Sequence, residues 1–304
     1  MAVYTHLTSA QISTYIAPFA VGELVTFKGI SGGIENTNYF VTTHIDGQPE
    51  QDFVLTLFED LGYEEIPYFV ELTEHLVAHK VTVPAPLRDT QGTALSWLAG
   101  KPALLFPRFA GDHLARSDIG TAECAIMGAE LARLHVAGQQ FTIARHSHRG
   151  ATWWNQLGPQ AADCIDPEDA TMLMMAIGQY DAMQAQVPDL PMGVVHGDLF
   201  HDNALFNQGQ LSATIDLYNA SNDYLLFDVA VTVNDWCIAP DGSIEPALYD
   251  AFLQAYAQVR PFNDAERQYW NAMLVAAAMR FWLSRLETFH GLDSHQREAG
   301  VTIL

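Results

Sequence analysis

The sequence predicts an α+β fold with two lobes, a small antiparallel β-sheet lobe followed by a larger helical lobe. Three short β-type runs, joined by a Gly-rich segment and an Asp-Gly turn, lie within residues 25–58 and indicate a β-meander. Beyond residue 109 the composition becomes helical, apart from one β-hairpin near residue 208. We therefore expect an N-terminal lobe of residues 1–106 and a C-terminal lobe of residues 107–304.

The N-terminal lobe is predicted to contain five strands and one helix. The strands are expected over residues 25–30, 38–43, 52–58, 94–98 and 103–106. Pro67 is compatible with a first helical turn, and Phe69, Leu72 and Leu76 recur at helical spacing. This pattern predicts a helix over residues 66–79.

The C-terminal lobe is predicted to be mainly helical. Residues 121–137 carry apolar side chains on one helical face, and residues 167–186 are rich in Ala and Met. Short strands are expected over residues 192–196, 204–206 and 211–215. From there to about residue 290 the sequence again indicates helices.

The net charge of the chain disfavours polyanionic partners. The 304 residues include 36 acidic and 14 basic side chains, which gives a formal net charge of −22. Such a chain repels phosphate backbones and anionic lipids, and its basic residues form no continuous stripe. We therefore expect neither nucleic acid nor a membrane surface as a partner. Apolar residues make up 49% of the chain, which favours a globular protein over a disordered one.

Two further features concern the cellular compartment. The amino-terminal residues lack the basic and apolar regions of a signal peptide, and the apolar run at residues 272–279 is ended by Arg280. The three cysteines, Cys124, Cys164 and Cys237, form no Cys-x-x-Cys pair. We therefore expect a cytoplasmic protein with neither a disulfide framework nor a cysteine zinc site.

The segment from His196 to Asn203 is the densest group of polar residues in the chain. It contains Asp198 and Asn203 in an Asp-x4-Asn spacing, and Asp216 follows 13 residues after Asn203. The hairpin between them folds the chain back, so these three side chains are expected to converge. Phosphoryl transfer needs such a set, because one carboxylate accepts the proton of the attacking hydroxyl group while an amide and a second carboxylate hold Mg²⁺. The spacing matches the catalytic loop of protein kinases.

Alternative roles for residues around this segment are less favoured. His201 and Asp202 are typical of a transition-metal site, but no third ligand lies at a suitable spacing. We expect His196 to orient the loop and Asp228 to brace it, and we place His135 in the core.

The His-Gly-Asp and Ile-Asp sequences resemble the aminoglycoside phosphotransferase and choline kinase superfamily, which implies a protein-kinase-like bilobal fold. Within it, the chain is similar to the family of kinase-like homoserine kinases, and the segments that carry this similarity are residues 215–220, 233–237 and 280–286. The resemblance implies that Asp198 is the catalytic base and that Asn203 and Asp216 bind Mg²⁺. It implies ATP as the cofactor, bound by a nucleotide-binding N-terminal lobe through Ser31, Gly32, Gly33, Asn36, Asn38 and Thr56.

Thr56 departs from the general kinase pattern. The aligned position on the third strand usually carries a basic residue that pairs with the nucleotide phosphates, whereas threonine has no charge. Glu71 or Glu74 would be the helix glutamate of the usual ion pair, and its expected partner is absent at position 56. The sequence leaves open which group supplies the missing charge.

The implied substrate, L-homoserine, is a small zwitterion with a primary hydroxyl group. Its site needs a cation for the carboxylate and acidic or amide oxygens for the ammonium group. The candidates in the family-like segments of the C-terminal lobe are Tyr218, Asn219, Asn234, Asp235, Arg280 and Arg285. Arg280 and Arg285 lie about 140° apart around a helix, so we expect one of them to face the substrate.

The predicted function is ATP-dependent phosphorylation of L-homoserine to O-phospho-L-homoserine, a step of threonine biosynthesis. One alternative is the same chemistry on another small alcohol, namely choline, ethanolamine, a methylthio sugar or an aminoglycoside. A second alternative is an inactive nucleotide-binding regulator, suggested by the uncharged Thr56. A protein kinase is disfavoured because no Ala-Pro-Glu segment follows Asp216.

Overall fold

A five-stranded antiparallel sheet organises the first part of the chain. The computed structural model describes residues 3–30, 36–186 and 189–292, and the chain divides into two compact units, Met1–Ala110 and Gly111–Leu304. The strands of the first unit are β1 (Glu23–Gly29), β2 (Asn36–His44), β3 (Gln51–Phe58), β4 (Ser96–Leu98) and β5 (Lys101–Pro107), in the order β1-β2-β3-β5-β4. All five predicted strands are confirmed.

Among its described residues the first unit contains two α-helices, where the sequence predicted one. Helix α2 (Ile66–Ala78) was expected, whereas α1 (Ser9–Ile16) was missed. A local signal for α1 exists, since Thr8 and Gln11 form a capping box in which each side chain bonds the backbone N–H of the other residue. Ile12 and Ile16 of α1 pack in the same apolar core as Leu55 of β3.

The second unit is mainly helical. In the described part of the chain its helices are α3 (Thr121–Gly138), α4 (Ala151–Ala162), α5 (Pro167–Gln184), α6 (Leu225–Trp236), α7 (Pro246–Val259) and α8 (Asp264–His290). Helix α4 was not predicted, and it contains Pro159 in its interior. Trp154 and Leu157 hold it in place, since both are buried in the core that α4 shares with α5 and α8.

Two small antiparallel sheets lie among these helices. Strands β7 (Ala204–Asn207) and β8 (Gln210–Thr214) form the predicted hairpin, and β6 (Met192–Val195) pairs with β9 (Ser221–Tyr224). The prediction of helix after residue 216 was therefore wrong for residues 221–224. The sequence Ser-Asn-Asp-Tyr has little strand propensity, and its pairing with β6 determines its conformation.

Helix α6 is buried on nearly all sides. Ala230 and Val231 belong to one apolar core, and Val229 and Val233 belong to a second core. The predicted α+β class, with a small antiparallel sheet and a larger helical part, is confirmed. No helix among the described residues has the length and apolarity needed to span a membrane.

Candidate active site

The predicted catalytic loop, residues 196–203 and called the catalytic loop below, connects β6 to β7 in the second unit. Its chain direction changes at Gly197, which has a φ of +77°. A Cβ atom at Gly197 would lie 3.0 Å from the carbonyl oxygen of Asn219, so the close approach of these two segments also requires glycine. Asp198 follows, and its side chain is 22% exposed, so its carboxylate remains accessible to a small molecule.

Asp228 on α6 anchors the start of this loop. Its two carboxylate oxygens accept hydrogen bonds from the backbone N–H groups of His196, at 2.6 Å, and Gly197, at 2.8 Å. Burial alone would raise the pKa of Asp228, but hydrogen bonds from His135 and from the loop hold this pKa below its usual value. Asp228 is therefore a fully buried anion whose charge is directed at the loop backbone.

A second aspartate of α6 anchors the end of the loop. Oδ2 of Asp235 lies 2.7 Å from the backbone nitrogen of His201 and 2.9 Å from its Nδ1. Oδ1 of Asp235 accepts a hydrogen bond from Arg116. Both oxygens of Asp235, a predicted substrate residue, are thus engaged by protein groups. Arg116 was not predicted, and no local motif marks it.

Asn203 and Asp216, the predicted metal ligands, lie on connected segments. The backbone N–H of Ile215 donates to the carbonyl oxygen of Asn203 at 2.9 Å, which brings Asp216 next to the loop. The side-chain amide nitrogen of Asn203 donates to the carbonyl oxygen of Asp198 at 2.7 Å. The amide group therefore points its oxygen away from this bond. Asp216 is exposed and has a φ of +61°.

These donors fit a hard cation such as Mg²⁺. Within residues 3–30, 36–186 and 189–292, no three His, Cys, Asp or Glu side chains gather into a metal site. The Asn203 amide oxygen and the Asp216 carboxylate would instead have to be supplemented by ligands from a bound molecule. Magnesium ions that accompany nucleotide phosphates are usually held in this way, by one or two carboxylates together with phosphate oxygens.

Arg280 on α8 lies next to the predicted base. Its Nη1 atom lies 3.8 Å from Oδ1 of Asp198, and its side chain is only 5% exposed. The guanidinium also lies over the ring of Phe281, 3.9 Å from the ring centre. Arg285, further along the same helix, is exposed. Of the two predicted arginines, the structure brings Arg280 to the catalytic loop.

The remaining predicted substrate residues have different surroundings. The side chain of Asn234 donates a hydrogen bond to the carbonyl oxygen of Leu274 at 2.9 Å, which joins α6 to α8. Tyr218 and Asn219 follow Asp216 in a short 3₁₀ turn, in which Asn219 is buried and Tyr218 half-buried. They lie on the segment that Gly197 approaches.

Two of the predicted nucleotide-binding residues of the first unit bond each other. Thr56 on β3 faces Asn38 on β2, and its hydroxyl group donates to the Asn38 side-chain oxygen at 2.7 Å. Asn36 is buried at the start of β2. Ser31, Gly32 and Gly33 lie outside the described residues.

The glutamates of α2 do have a basic partner. Nε of Arg88 lies 2.7 Å from Glu74, and its Nη2 lies 3.4 Å from Glu71. Hydrogen bonding to Glu74 raises the pKa of Arg88. The strand partner expected for these glutamates is absent, since position 56 on β3 is Thr56, and they pair with Arg88 instead. The cation comes from the loop after α2, which no residue spacing indicates.

Most of the chain is similar to known proteins. A family model described as the phosphotransferase enzyme family matches residues 26–262. The homoserine kinase of Ralstonia nicotianae is 40% identical over 301 residues, which cover 95% of this chain and 89% of that protein. The homoserine kinase of Pseudomonas aeruginosa PAO1 is 40% identical over 296 residues, which cover 96% of this chain and 92% of that protein.

A solved structure supports the same fold. The structure of amicoumacin kinase hAmiN in complex with AMP-PNP, Ca²⁺ and Ami aligns with a TM-score of 0.69. The alignment covers 90% of this chain and 83% of that one, at 17% sequence identity. At this identity the likeness concerns the fold alone.

Proposed function

We propose that this chain, which belongs to the phosphotransferase enzyme family, transfers the γ-phosphoryl group of ATP to the hydroxyl group of L-homoserine. The product is O-phospho-L-homoserine, and the enzyme acts in the cytoplasm. The observation that carries the choice of acceptor is the 40% identity to homoserine kinases over 95% of the chain. The arrangement of Asp198 and Arg280 supports it on chemical grounds.

The reaction assigns different tasks to the two lobes. In this proposal residues 1–106 bind the nucleotide, with Asn36, Asn38, Thr56 and the Gly-rich loop near its phosphates. Residues 107–304 carry the catalytic and substrate groups. Asn203 and Asp216 would hold Mg²⁺, which when bound neutralises negative charge on the transferred phosphoryl group.

Asp198 acts as the general base in this proposal. Its carboxylate accepts the proton of the homoserine hydroxyl group as that oxygen attacks the phosphorus atom. The loop backbone on both sides of Asp198 is fixed, by Asp228 at Gly197 and by Asp235 at His201. This rigidity holds the carboxylate in position before substrate arrives, which lowers the entropic cost of reaching the reactive geometry.

Arg280 provides the cation that a carboxylate substrate requires. A nearly buried guanidinium binds a carboxylate through charge-assisted hydrogen bonds, which are stronger than those between neutral groups. The same charge disfavours cationic alcohols such as choline and ethanolamine, which have no anionic group to offset it. The 3.8 Å between Arg280 and Asp198 therefore favours an acceptor with both an anionic group and a hydroxyl group.

The test is Mg-ATP-dependent release of ADP by the purified chain with a panel of acceptors. L-Homoserine is compared with 4-hydroxybutyrate, which lacks the ammonium group, and with 3-aminopropan-1-ol, which lacks the carboxylate. Choline, ethanolamine, L-serine and kanamycin complete the panel, and Asp198→Asn is the catalytic blank. We expect the highest kcat/KM with L-homoserine and a fall of about 10² or more in kcat for Asp198→Asn.

Other outcomes would contradict parts of the proposal. A preference for choline, ethanolamine or kanamycin would retain the phosphoryl transfer and refute the acceptor. ATP binding without ADP release for any acceptor would refute the enzyme and favour the nucleotide-binding regulator.

A further inference from the structure

A row of buried polar side chains leads away from the catalytic loop. Beyond Asp228, Nε2 of His135 on α3 lies 3.1 Å from Oδ2 of Asp228. Nδ1 of His135 lies 2.7 Å from the hydroxyl oxygen of Tyr256 on α7. Nη1 of Arg260 lies 3.1 Å from the same oxygen and 2.8 Å from Oε1 of Glu266. These groups connect α8 to the loop without contacting Asp198 directly.

All members of the row are held in place by the fold. Asp228, His135 and Tyr256 are fully buried, and Glu266 is 1% exposed. The Tyr256 ring stacks on Phe262 at a centroid distance of 4.9 Å, which fixes the direction of its hydroxyl group. The second oxygen of Glu266 accepts the backbone N–H of Asn263 in the capping box of α8.

The positions of the protons follow from the donors available. A guanidinium can only donate, so the Tyr256 oxygen accepts from Arg260, and its own hydrogen is directed to Nδ1 of His135. His135 therefore carries its proton on Nε2, where it donates to Asp228. Every hydrogen bond then runs in one direction, from Arg260 through Tyr256 and His135 to Asp228.

A protonated His135 would break this order. Its Nδ1–H would also point at the Tyr256 oxygen, and the hydroxyl hydrogen would lose its acceptor inside the core. Burial, the main cause, and the nearby charge of Arg260 both lower the pKa of His135, in agreement with a neutral ring. A neutral His135 leaves the charge of Asp228 directed at the N–H groups of His196 and Gly197.

We propose that Tyr256, oriented by the Arg260–Glu266 ion pair, is a positioning residue that keeps His135 neutral and protonated on Nε2, so that Asp228 holds the catalytic loop in its active geometry. In this assignment the Tyr256 hydroxyl group acts on the loop through His135 and Asp228, and it contacts neither substrate nor nucleotide. The kinetic part of its test rests on the proposed function, whereas the spectroscopic part does not.

The spectroscopic test is ¹⁵N NMR of the histidine rings in the unmodified chain, with the His135 ring assigned by through-bond correlation to its own backbone signals. We expect a neutral His135 with a protonated Nε2 and an unprotonated Nδ1 at pH 7. A protonated Nδ1, in either the neutral or the charged ring, would overturn the inference. This result is obtained on the unmodified chain and stands whether or not a variant folds.

The kinetic test is the substitution Tyr256→Phe, which removes the hydroxyl group and keeps the ring. We expect kcat to fall about tenfold while KM for ATP and for L-homoserine changes less than twofold, since no binding group is altered. Tyr249→Phe is the matched control, because Tyr249 lies on the same helix and its hydroxyl oxygen accepts one hydrogen bond, from Trp270 at 2.6 Å. That variant should keep the normal kcat.

A double-mutant cycle separates positioning from general destabilisation. If Tyr256 acts through Asp228, then Tyr256→Phe should have little further effect on kcat when Asp228→Asn is already present. Two independent, multiplying losses would overturn the inference. If the unmodified chain does not phosphorylate L-homoserine, the proposed function fails, and the NMR measurement still decides the proton assignment.

Discussion

Nη1 of Arg280 lies 3.8 Å from Oδ1 of Asp198, and both atoms belong to the second unit of the chain. From this relationship we expect Arg280→Gln to raise KM for L-homoserine by about 30-fold or more, because a charge-assisted bond to the substrate carboxylate is lost. The KM for 3-aminopropan-1-ol, which has no carboxylate, should not rise. Steady-state kinetics with both acceptors measures the difference.

Arg267→Gln is the matched control for that variant. Arg267 lies on the same helix, its side chain is 63% exposed and it pairs with Asp264 at the surface. Its removal should leave both KM values unchanged. An Arg280→Gln enzyme that retains its preference for carboxylate acceptors would refute the assignment.

Gly197 and Gly209 offer a matched pair of glycine substitutions. Their φ angles are +77° and +75°, so alanine is strained by a similar amount at both positions. Only at Gly197 would the new Cβ meet a neighbour, the Asn219 carbonyl oxygen at 3.0 Å. We expect Gly197→Ala to cost about 1 kcal/mol more stability than Gly209→Ala, and to lower kcat. Urea unfolding and turnover measure both effects, and equal costs would contradict the role of this contact.

Asp216 and Asp202 test the metal assignment. Both carboxylates are exposed, but only Asp216 is a proposed ligand. We expect Asp216→Asn to raise the Mg²⁺ concentration for half-maximal activity by about tenfold or more, because a neutral amide binds the cation less strongly than a carboxylate. Asp202→Asn should leave that concentration unchanged. A Mg²⁺ titration at saturating ATP gives the answer, and similar curves for the two variants would argue against Asp216 as a ligand.

Asp223 on β9 predicts a pH dependence of stability. Burial, the largest cause, raises the pKa of Asp223 from 3.8 to about 6. Well below pH 3.8 the carboxyl group is neutral in the folded and unfolded states, whereas above about pH 6 the folded state holds a buried charge. The contribution of this group to stability therefore falls as the pH rises from about 4 to about 6, and is constant above that range.

The substitution Asp223→Asn isolates this effect. The amide oxygen can still accept the backbone N–H of Tyr224, as Oδ1 does at 2.7 Å, but the side chain cannot ionise. Because part of Asp223 remains in contact with water, we expect a gain of about 2 kcal/mol at pH 8 and little change at pH 4. Chemical unfolding at the two pH values tests this, with the exposed Asp250→Asn as control. The same gain at both pH values would show that ionisation of Asp223 does not cause the pH dependence.

Much of the fold could be predicted from local patterns. The strands of the first unit and helices α2, α3 and α5 follow from apolar periodicity and turn residues. Helix α4 and strand β9 could not be predicted in this way, because Pro159 disfavours a helix and Ser-Asn-Asp-Tyr disfavours a strand. Packing of Trp154 and pairing with β6 outweigh these local preferences.

The candidate site likewise contains residues that local spacing predicts and residues that only tertiary contacts determine. Asp198 and Asn203 lie within six consecutive residues, and their Asp-x4-Asn spacing alone indicates a phosphoryl-transfer loop. The sequence also indicated Asp228 as a brace of the loop, and its carboxylate accepts backbone N–H groups there. The anchoring contacts of Asp235 and Arg116, which lie far from the loop in sequence, were not predicted. The partner of the α2 glutamates, Arg88, is likewise determined by tertiary contacts. A single sequence contains no spacing rule for such pairs.

Asp216 occupies the left-handed region of the backbone, with φ +61° and ψ +53°. This conformation costs most non-glycine residues about 1–2 kcal/mol; aspartate and asparagine tolerate it better than most, and glycine adopts it freely. Laboratory evolution for thermal stability alone would therefore favour Gly at position 216. The recovered variants would resist heat better but would catalyse more slowly, because they would lack the proposed Mg²⁺-binding carboxylate. Stability and activity therefore oppose each other at this one residue.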